Sequence, residues 1–216
     1  MSSRYRVEVV GGTYHVNTKA VAGVRAFPDA FHREYFLELL RAEINKSQWT
    51  CLGYAVLGTH YHVVLRLTKP SLSRGFQRLN SRFARWYNVI HSRTGALWQS
   101  RFFDVSVESD FQLLELQRYL AHNATRASMA AEPEDWPFCH YGALIGLHPP
   151  DELVAEDQIL GLLARDPKRA RARLRDFVED VDPRRRRQMF LRACSEEAQS
   201  AESTMNRPRS TTRPRR

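Results

Sequence analysis

Between residues 49 and 67 the chain carries two short apolar runs, WTCLGYAVL (49–57) and HYHVVLRL (60–67), parted only by Gly58-Thr59. β-Branched and aromatic residues fill both runs, and a two-residue break is a tight turn, so the pair reads as an antiparallel hairpin. GTYHVNT (12–18) reads as an earlier strand. Pro28 and Asp29 open a helix in which Phe31, Tyr35, Phe36, Leu39, Leu40 and Ile44 recur at helical spacing. A second helix starts near Ser71. Its Leu72, Phe76, Leu79, Phe83, Trp86 and Ile90 fall at alternating steps of four and three, a continuous apolar stripe, and Gly95 ends the element. LWQSRFFDVSV (97–107) reads as a further strand, and Asp110 caps a helix through LLELQRYLAHN.

The resulting order, β-α-β-β-α-β-α, predicts an α+β body: a ferredoxin-like βαββαβ antiparallel sheet with helices mainly on one face, occupying residues 1–150. Residues 151–182 form a helical extension, with two helices over LVAEDQILGLLARDPKRARARLRDFVEDV (153–181) broken near Pro167. Residues 183–216 are rich in Arg, Ser, Thr and Pro, a composition that predicts disorder. No internal repeat is visible.

Charge changes this picture more than composition does. The net charge is +9, but residues 1–164 hold 17 basic and 16 acidic side chains, whereas residues 165–216 hold 16 basic and 8 acidic ones. Within the near-neutral body, residues 66–101 hold eight basic side chains and no acid. Two positive zones of this kind suit a polyanion such as nucleic acid. No run of 18 apolar residues exists to span a membrane, and MSSRYRVEVVGGTYHV lacks a signal-peptide core, which together predict a cytoplasmic protein. Cys51, Cys139 and Cys194 are odd in number and widely spaced, as free thiols in a reducing compartment would be.

The candidate chemistry begins at the hairpin. On a strand, residues i and i+2 share a face roughly 6.5–7 Å apart. His60 and His62 therefore share one face with Val64 and Arg66, while Tyr61, Val63, Leu65 and Leu67 form the core face. On the face away from the helices the two imidazoles can converge on one metal ion; taken alone, two half-exposed histidines on an open sheet satisfy the pattern equally well. The helix after Asp110 adds Tyr119 and, four residues on, Asn123, which share a helix face. Asn offers a carbonyl oxygen as a third ligand, and Tyr can act as a nucleophile, although a lone Tyr is more often a packing residue. Strand transfer at a phosphodiester needs these parts: a cation on the non-bridging oxygens and a hydroxyl that attacks phosphorus. No GxxxxGK phosphate loop is present.

GTHYHVVLRL, RLNSRFARWYN, LWQSRF and RYLAHNATRAS, followed by EDWPFCHYGALIG, resemble the IS200-like tyrosine transposases of the HUH, single-tyrosine class, and among them the branch associated with repetitive extragenic palindromes (REP). The resemblance spans about residues 12–147. His60-Tyr61-His62 fits the HUH signature, YLAHNATRAS fits the segment that holds the nucleophile, and Asn123 falls at the third metal ligand. The resemblance implies a ferredoxin-like fold, a Mg²⁺ or Mn²⁺ cofactor, and cleavage of single-stranded or hairpin DNA. It also implies a covalent 5′-phosphotyrosine at Tyr119, and action as a monomer or a homodimer. The sequence departs from the family pattern at Gly58-Thr59, where Pro-Asn is usual, at Tyr61, where the family has a smaller aliphatic residue, and after Asn123, where the family's Pro-Val-Arg-Ala-Gly reads Ala-Thr-Arg-Ala-Ser. The altered residues after Asn123 leave open a rival of the same fold, a catalytically silent, domesticated nucleic-acid-binding regulator. A hydrolytic nuclease using water, with Tyr119 structural, is a second.

The DNA surface is expected at Arg74, Arg78, Arg82 and Arg85 beside the apolar stripe, with Gln99 and Arg101 near the site. The same arginines could be an ordinary solvated helix face, but such faces usually mix signs. Trp98 and Tyr87 are the better candidates for stacking on bases. The tail arginines, 184–187 and 207–216, are expected to add non-specific affinity only. His15 reads as structural rather than as part of the site, His122 as a conceivable relay, and His140 as packing.

Overall fold

The computed structural model describes residues 8–205, with side chains as far as residue 197. The chain divides after Ile159 into two compact units. The first is built on β1 (Thr13–Lys19), β2 (Thr50–Val56), β3 (His60–Arg66) and β4 (Phe103–Val107), in the antiparallel order β2-β3-β1-β4. With α1 (Ala30–Ser47) between β1 and β2 and α2 (Leu72–Ile90) between β3 and β4, this is the expected ferredoxin-like α+β arrangement.

The alternation along β3 is realised as read. Tyr61, Val63 and Leu65 face α1 and α2 and are fully buried. Phe27, Phe36 and Trp98 surround the Tyr61 ring, and burying each such ring contributes roughly 1.5–3 kcal/mol. The Tyr61 hydroxyl donates to Asn80 Oδ1 at 2.7 Å and accepts from Thr18 Oγ1 at 2.9 Å, so its polar end is paired within the core. Asp29 caps α1 through the His32 amide, as the Pro28-Asp29 signal predicts. The α2 N-terminus is capped from afar: the Glu8 carboxylate accepts from the Leu72 and Ser73 amides, each at 2.8 Å. Gly75 lets α2 lie against Trp49, since a Cβ there would fall 2.2 Å from the indole.

Four expectations change. The histidine face is not open, because α3 (Asp110–Ala121) packs on it. Buried Gln117 donates to the Leu52 carbonyl at 3.0 Å and receives His140 Nε2 at 2.6 Å, while the Tyr54 amide donates to His140 Nδ1 at 3.1 Å. Gly53 makes room for this staple: it has φ +149°, and a Cβ would meet the His140 ring at 2.8 Å. Second, only Phe103–Val107 of the 97–107 stretch is strand. Phe103 pairs with Asn17 and Trp98 bridges Ala20, so the β4 side carries two residues more than β1 and bulges at 100–102. Third, α3 is capped by Ser109 Oγ rather than Asp110, and it ends at Ala121; a short α4 (Asn123–Arg126) follows after His122.

The fourth change concerns the chain beyond residue 150. The first unit runs past this point, with the Ala155 amide on the Cys51 carbonyl and Tyr54 Oη donating to Asp151 at 2.7 Å. After two short helices, α5 (Tyr141–Leu144) and α6 (Glu156–Leu160), the second unit pairs α7 (Pro167–Glu179) with α8 (Pro183–Met205), so the segment expected to be disordered is helical as far as Met205, and residues 206–216 lie outside those described. Leu174, Phe177, Val178 and Ala193 form its core. Arg169 and Arg173 pair with Glu196, Arg185 with Asp180, and the buried Arg186 guanidinium lies 5.9 Å from the centre of the Phe177 ring. The basic composition that reads as a solvated tail is in part an internal ion-pair lattice.

Candidate active site

The site is assembled on adjacent strands and the last turns of α3. In the sheet register His62 lies between Asn17 of β1 and Ala55 of β2, and His60 stands opposite Lys19. The His60 and His62 rings are 5.2 Å apart and nearly perpendicular. α3 brings the Tyr119 ring to 5.2 Å from His62, edge to face. His62 is buried, His60 half-buried and Tyr119 exposed. Three of the four residues expected at the centre therefore meet.

His15, which reads as structural in the sequence, is the third imidazole of the cluster. Its ring lies 5.1 Å from His62 and 6.0 Å from Tyr119, and its Nε2 is 3.0 Å from His62 Nδ1. Burial lowers the His15 pKa to about 4. Burial, reinforced by His15 and His60, lowers that of His62 to about 3, and burial with the Lys19 charge also lowers His60. All three are neutral bases at neutral pH. One proton must lie between His15 and His62. If His62 Nδ1 carries it and donates to His15, the lone pair of His62 Nε2 is free, and that atom is buried with no hydrogen-bond partner among the described residues. An unpaired buried polar atom costs about 1–3 kcal/mol, a cost that a bound cation removes.

This orphaned nitrogen is what a metal-binding pair should show, so the residues fit a divalent cation. Among the described residues no three His, Cys, Asp or Glu side chains converge as a complete ligand set. The site offers two imidazoles and leaves further positions to an amide, water or phosphate oxygens. Asn123 is buried one helical turn beyond Tyr119, and its Nδ2 donates to the Tyr119 carbonyl at 2.9 Å. That bond ties it to the backbone of the tyrosine, not to the imidazoles. The Arg126 guanidinium lies 5.7 Å from the centre of the Tyr119 ring. His122 donates its amide to Arg118 at the helix break.

A solved structure, "Structure of the REP associates tyrosine transposase bound to a REP hairpin", superposes on 69% of this chain and 89% of its own, with a TM-score of 0.58 and 16% sequence identity. The chain has a tyrosine-transposase fold. No family model and no curated protein sequence matches it. No described helix is long and apolar enough to cross a membrane.

In this transposase fold the expected DNA-contacting residues separate into two groups. Arg78 is held by Glu43, with Nε 3.1 Å from Oε2, and also reaches Ser47; it neutralises a buried carboxylate instead of standing free. Arg74, Arg82, Arg85 and Arg101 are exposed, and their guanidiniums have no ion pair or hydrogen bond among the described residues. Gln99 lines a hollow of about 390 Å³ with Lys19, Arg25 and Thr59, beside His60. Lys19 and Arg25 were not singled out in the sequence, because isolated cations give no local pattern; their position depends on the β1–β3 register. Tyr87 is buried and its hydroxyl donates to the Arg25 carbonyl, which removes it as a stacking platform, whereas Trp98 is half-buried.

Proposed function

We propose that this chain is a metal-dependent enzyme that nicks and rejoins single-stranded or hairpin DNA, a transposase in kind, through a covalent 5′-phosphotyrosine on Tyr119. The observation that carries this reading is the exposed Tyr119 ring 5.2 Å from His62, whose buried Nε2 lacks a partner.

His60 and His62 hold the cation through neutral nitrogens, with the Oδ1 of Asn123 as the third protein donor. When bound, Mg²⁺ or Mn²⁺ polarises the non-bridging phosphate oxygens and offsets the charge that develops on them. His15 accepts from His62 Nδ1 and so keeps the Nε2 lone pair available, a positioning role. Tyr119 Oη attacks phosphorus; the phosphorus–tyrosine bond forms as the bond to the DNA 3′-oxygen breaks. The phenolic proton passes to solvent at this exposed position, and the released 3′-oxygen takes one up. Reversal by a 3′-hydroxyl reseals the strand with no nucleotide consumed, because the phosphotyrosine conserves the ester. Arg126 sets a positive charge beside the ring where the phosphate must arrive. Lys19, Arg25 and Gln99 guide the backbone past His60.

The test is incubation of the protein with end-labelled single strands and hairpins in Mn²⁺, followed by denaturing electrophoresis. A protein–DNA band that survives denaturation and is lost in Tyr119→Phe supports the reading. Undiminished cutting by Tyr119→Phe would make the protein a hydrolytic nuclease. Binding without scission would make it a DNA-binding regulator.

A further inference from the structure

Outside the imidazole site, the first unit holds a cavity of about 630 Å³ between α2 and residues 95–102. Ligand pockets for small organic groups span roughly 300–1,000 Å³. Its walls include the aromatic side chains Phe76, Trp98 and Phe102, and Arg85 and Arg101 line it as well. Trp98 is fixed there, its Nε1 donating to the Asn80 carbonyl at 3.0 Å and its ring stacked on Phe83. The side chains of Gln77, Ser81, Arg85 and Arg101 make no hydrogen bond among the described residues, so their polar groups remain for a ligand. No lining residue is acidic.

These features select a flat aromatic ligand that carries a phosphate: apolar ring walls, polar groups placed for a heterocycle's edge, and unpaired guanidiniums for its backbone. The location adds a route. Gln99 lines the hollow beside His60, while its neighbours Trp98, Ser100 and Arg101 line this cavity. The bulge at 100–102 is what turns adjacent residues toward the two recesses.

We propose that this cavity is a subsite for one unpaired nucleobase of the DNA strand, stacked on Trp98 with its flanking phosphates on Arg85 and Arg101. The proposal rests on the reading of the protein as a single-strand enzyme and assigns it a second anchoring point beyond the imidazoles.

The experiment uses the full chain carrying Tyr119→Phe, in EDTA, so that binding is measured without cleavage. The probe is a fluorescein-labelled single strand of mixed sequence, compared with the same strand in a duplex. Ala84 lines the cavity from α2, and Ala84→Phe fills it from a position compatible with helix. The filled variant should lose about tenfold or more in affinity for the single strand, the weight of one stacked base. Duplex binding should be weaker than single-strand binding in the parent and little changed by the filling. The paired reversal Arg85→Glu with Arg101→Glu, which leaves the packing untouched, should give a loss of similar size. Equal affinity of parent and both variants for the single strand, with unchanged circular dichroism, overturns the subsite. So does a parent that binds duplex as well as single strand. Adduct formation by the chain with Tyr119 restored and Ala84 intact separates the two readings. A normal adduct with unchanged binding removes the subsite and leaves the chemistry; subsite-dependent binding with no adduct does the reverse.

Discussion

His15 is the residue whose removal separates metal holding from fold. Its side chain makes one hydrogen bond among the described residues, from Nε2 to His62 Nδ1 at 3.0 Å. His15→Ala should lower Mn²⁺ affinity by about tenfold to a hundredfold, the usual weight of an outer-shell partner, measured by titration calorimetry on metal-free protein. Unchanged affinity would return His15 to packing. The same cluster gives the apo protein a pH dependence. His15 and His62 have pKa values pushed down to about 4 and about 3, and burial lowers His140 as well. The unfolded chain binds these protons near pH 6.5 and the folded chain does not. In EDTA, stability should therefore be flat above about pH 6.5 and fall as the pH drops from there toward 4, by an amount on the order of a few kcal/mol. Urea unfolding at stepped pH reads this out, and a midpoint that rises on acidification contradicts it.

At the scale of elements, the helix carrying Tyr119 is located by a staple two residues before it. Gln117 links His140 to the Leu52 carbonyl, and both bonds are buried. Gln117→Leu leaves that carbonyl and the His140 nitrogen unpaired and should destabilise the first unit by about 1–3 kcal/mol in urea unfolding. Because Tyr119 rides on this helix, the variant should also form less adduct under conditions where it remains folded. The staple explains which parts of the fold were legible in the sequence. β2, β3, α1 and α2 each follow a local period, and the alternation about Tyr61 correctly separates the core face from the histidine face. The docking of α3 has no local signal. It depends on Gln117, His140 and the positive φ of Gly53, which are far apart in sequence and individually ordinary. For the same reason His60, His62 and Tyr119 could be found from spacing, while His15 could be assigned only once β1 was in register beside β3. The α8 helix was hidden by its composition: of the arginines that suggest a solvated tail, Arg185 is paired with Asp180 and Arg186 lies over the Phe177 ring, while Glu196 of the same segment takes Arg169 and Arg173 of α7.

For the whole molecule, charge is divided between paired and unpaired cations, and only the second kind should answer to salt. The guanidiniums of Arg74, Arg82, Arg85 and Arg101 lack partners among the described residues, and each phosphate neutralised on a single strand contributes about −0.7 to the slope of log affinity against log salt. Four such contacts give a slope of roughly −3, and Arg78→Ala should leave it unchanged because Arg78 already serves Glu43. A slope near zero in anisotropy titrations removes the phosphate surface. Truncation at residue 183 should not act as the trimming of a loose tail: it removes the partner of α7 and exposes Leu174, Phe177 and Val178. A cut after Ile159 follows the division between the units and should leave the first one with its own sheet and core.

The three residues of the centre also differ in wetness: His62 is dry, His60 is at the waterline and Tyr119 stands in solvent. On the proposed reading, an arriving phosphodiester would meet the phenol while still hydrated and would shed water stepwise as it moved inward. No single encounter would have to strip the full shell from a charged group, so entry would be a graded descent and not a barrier crossed at once.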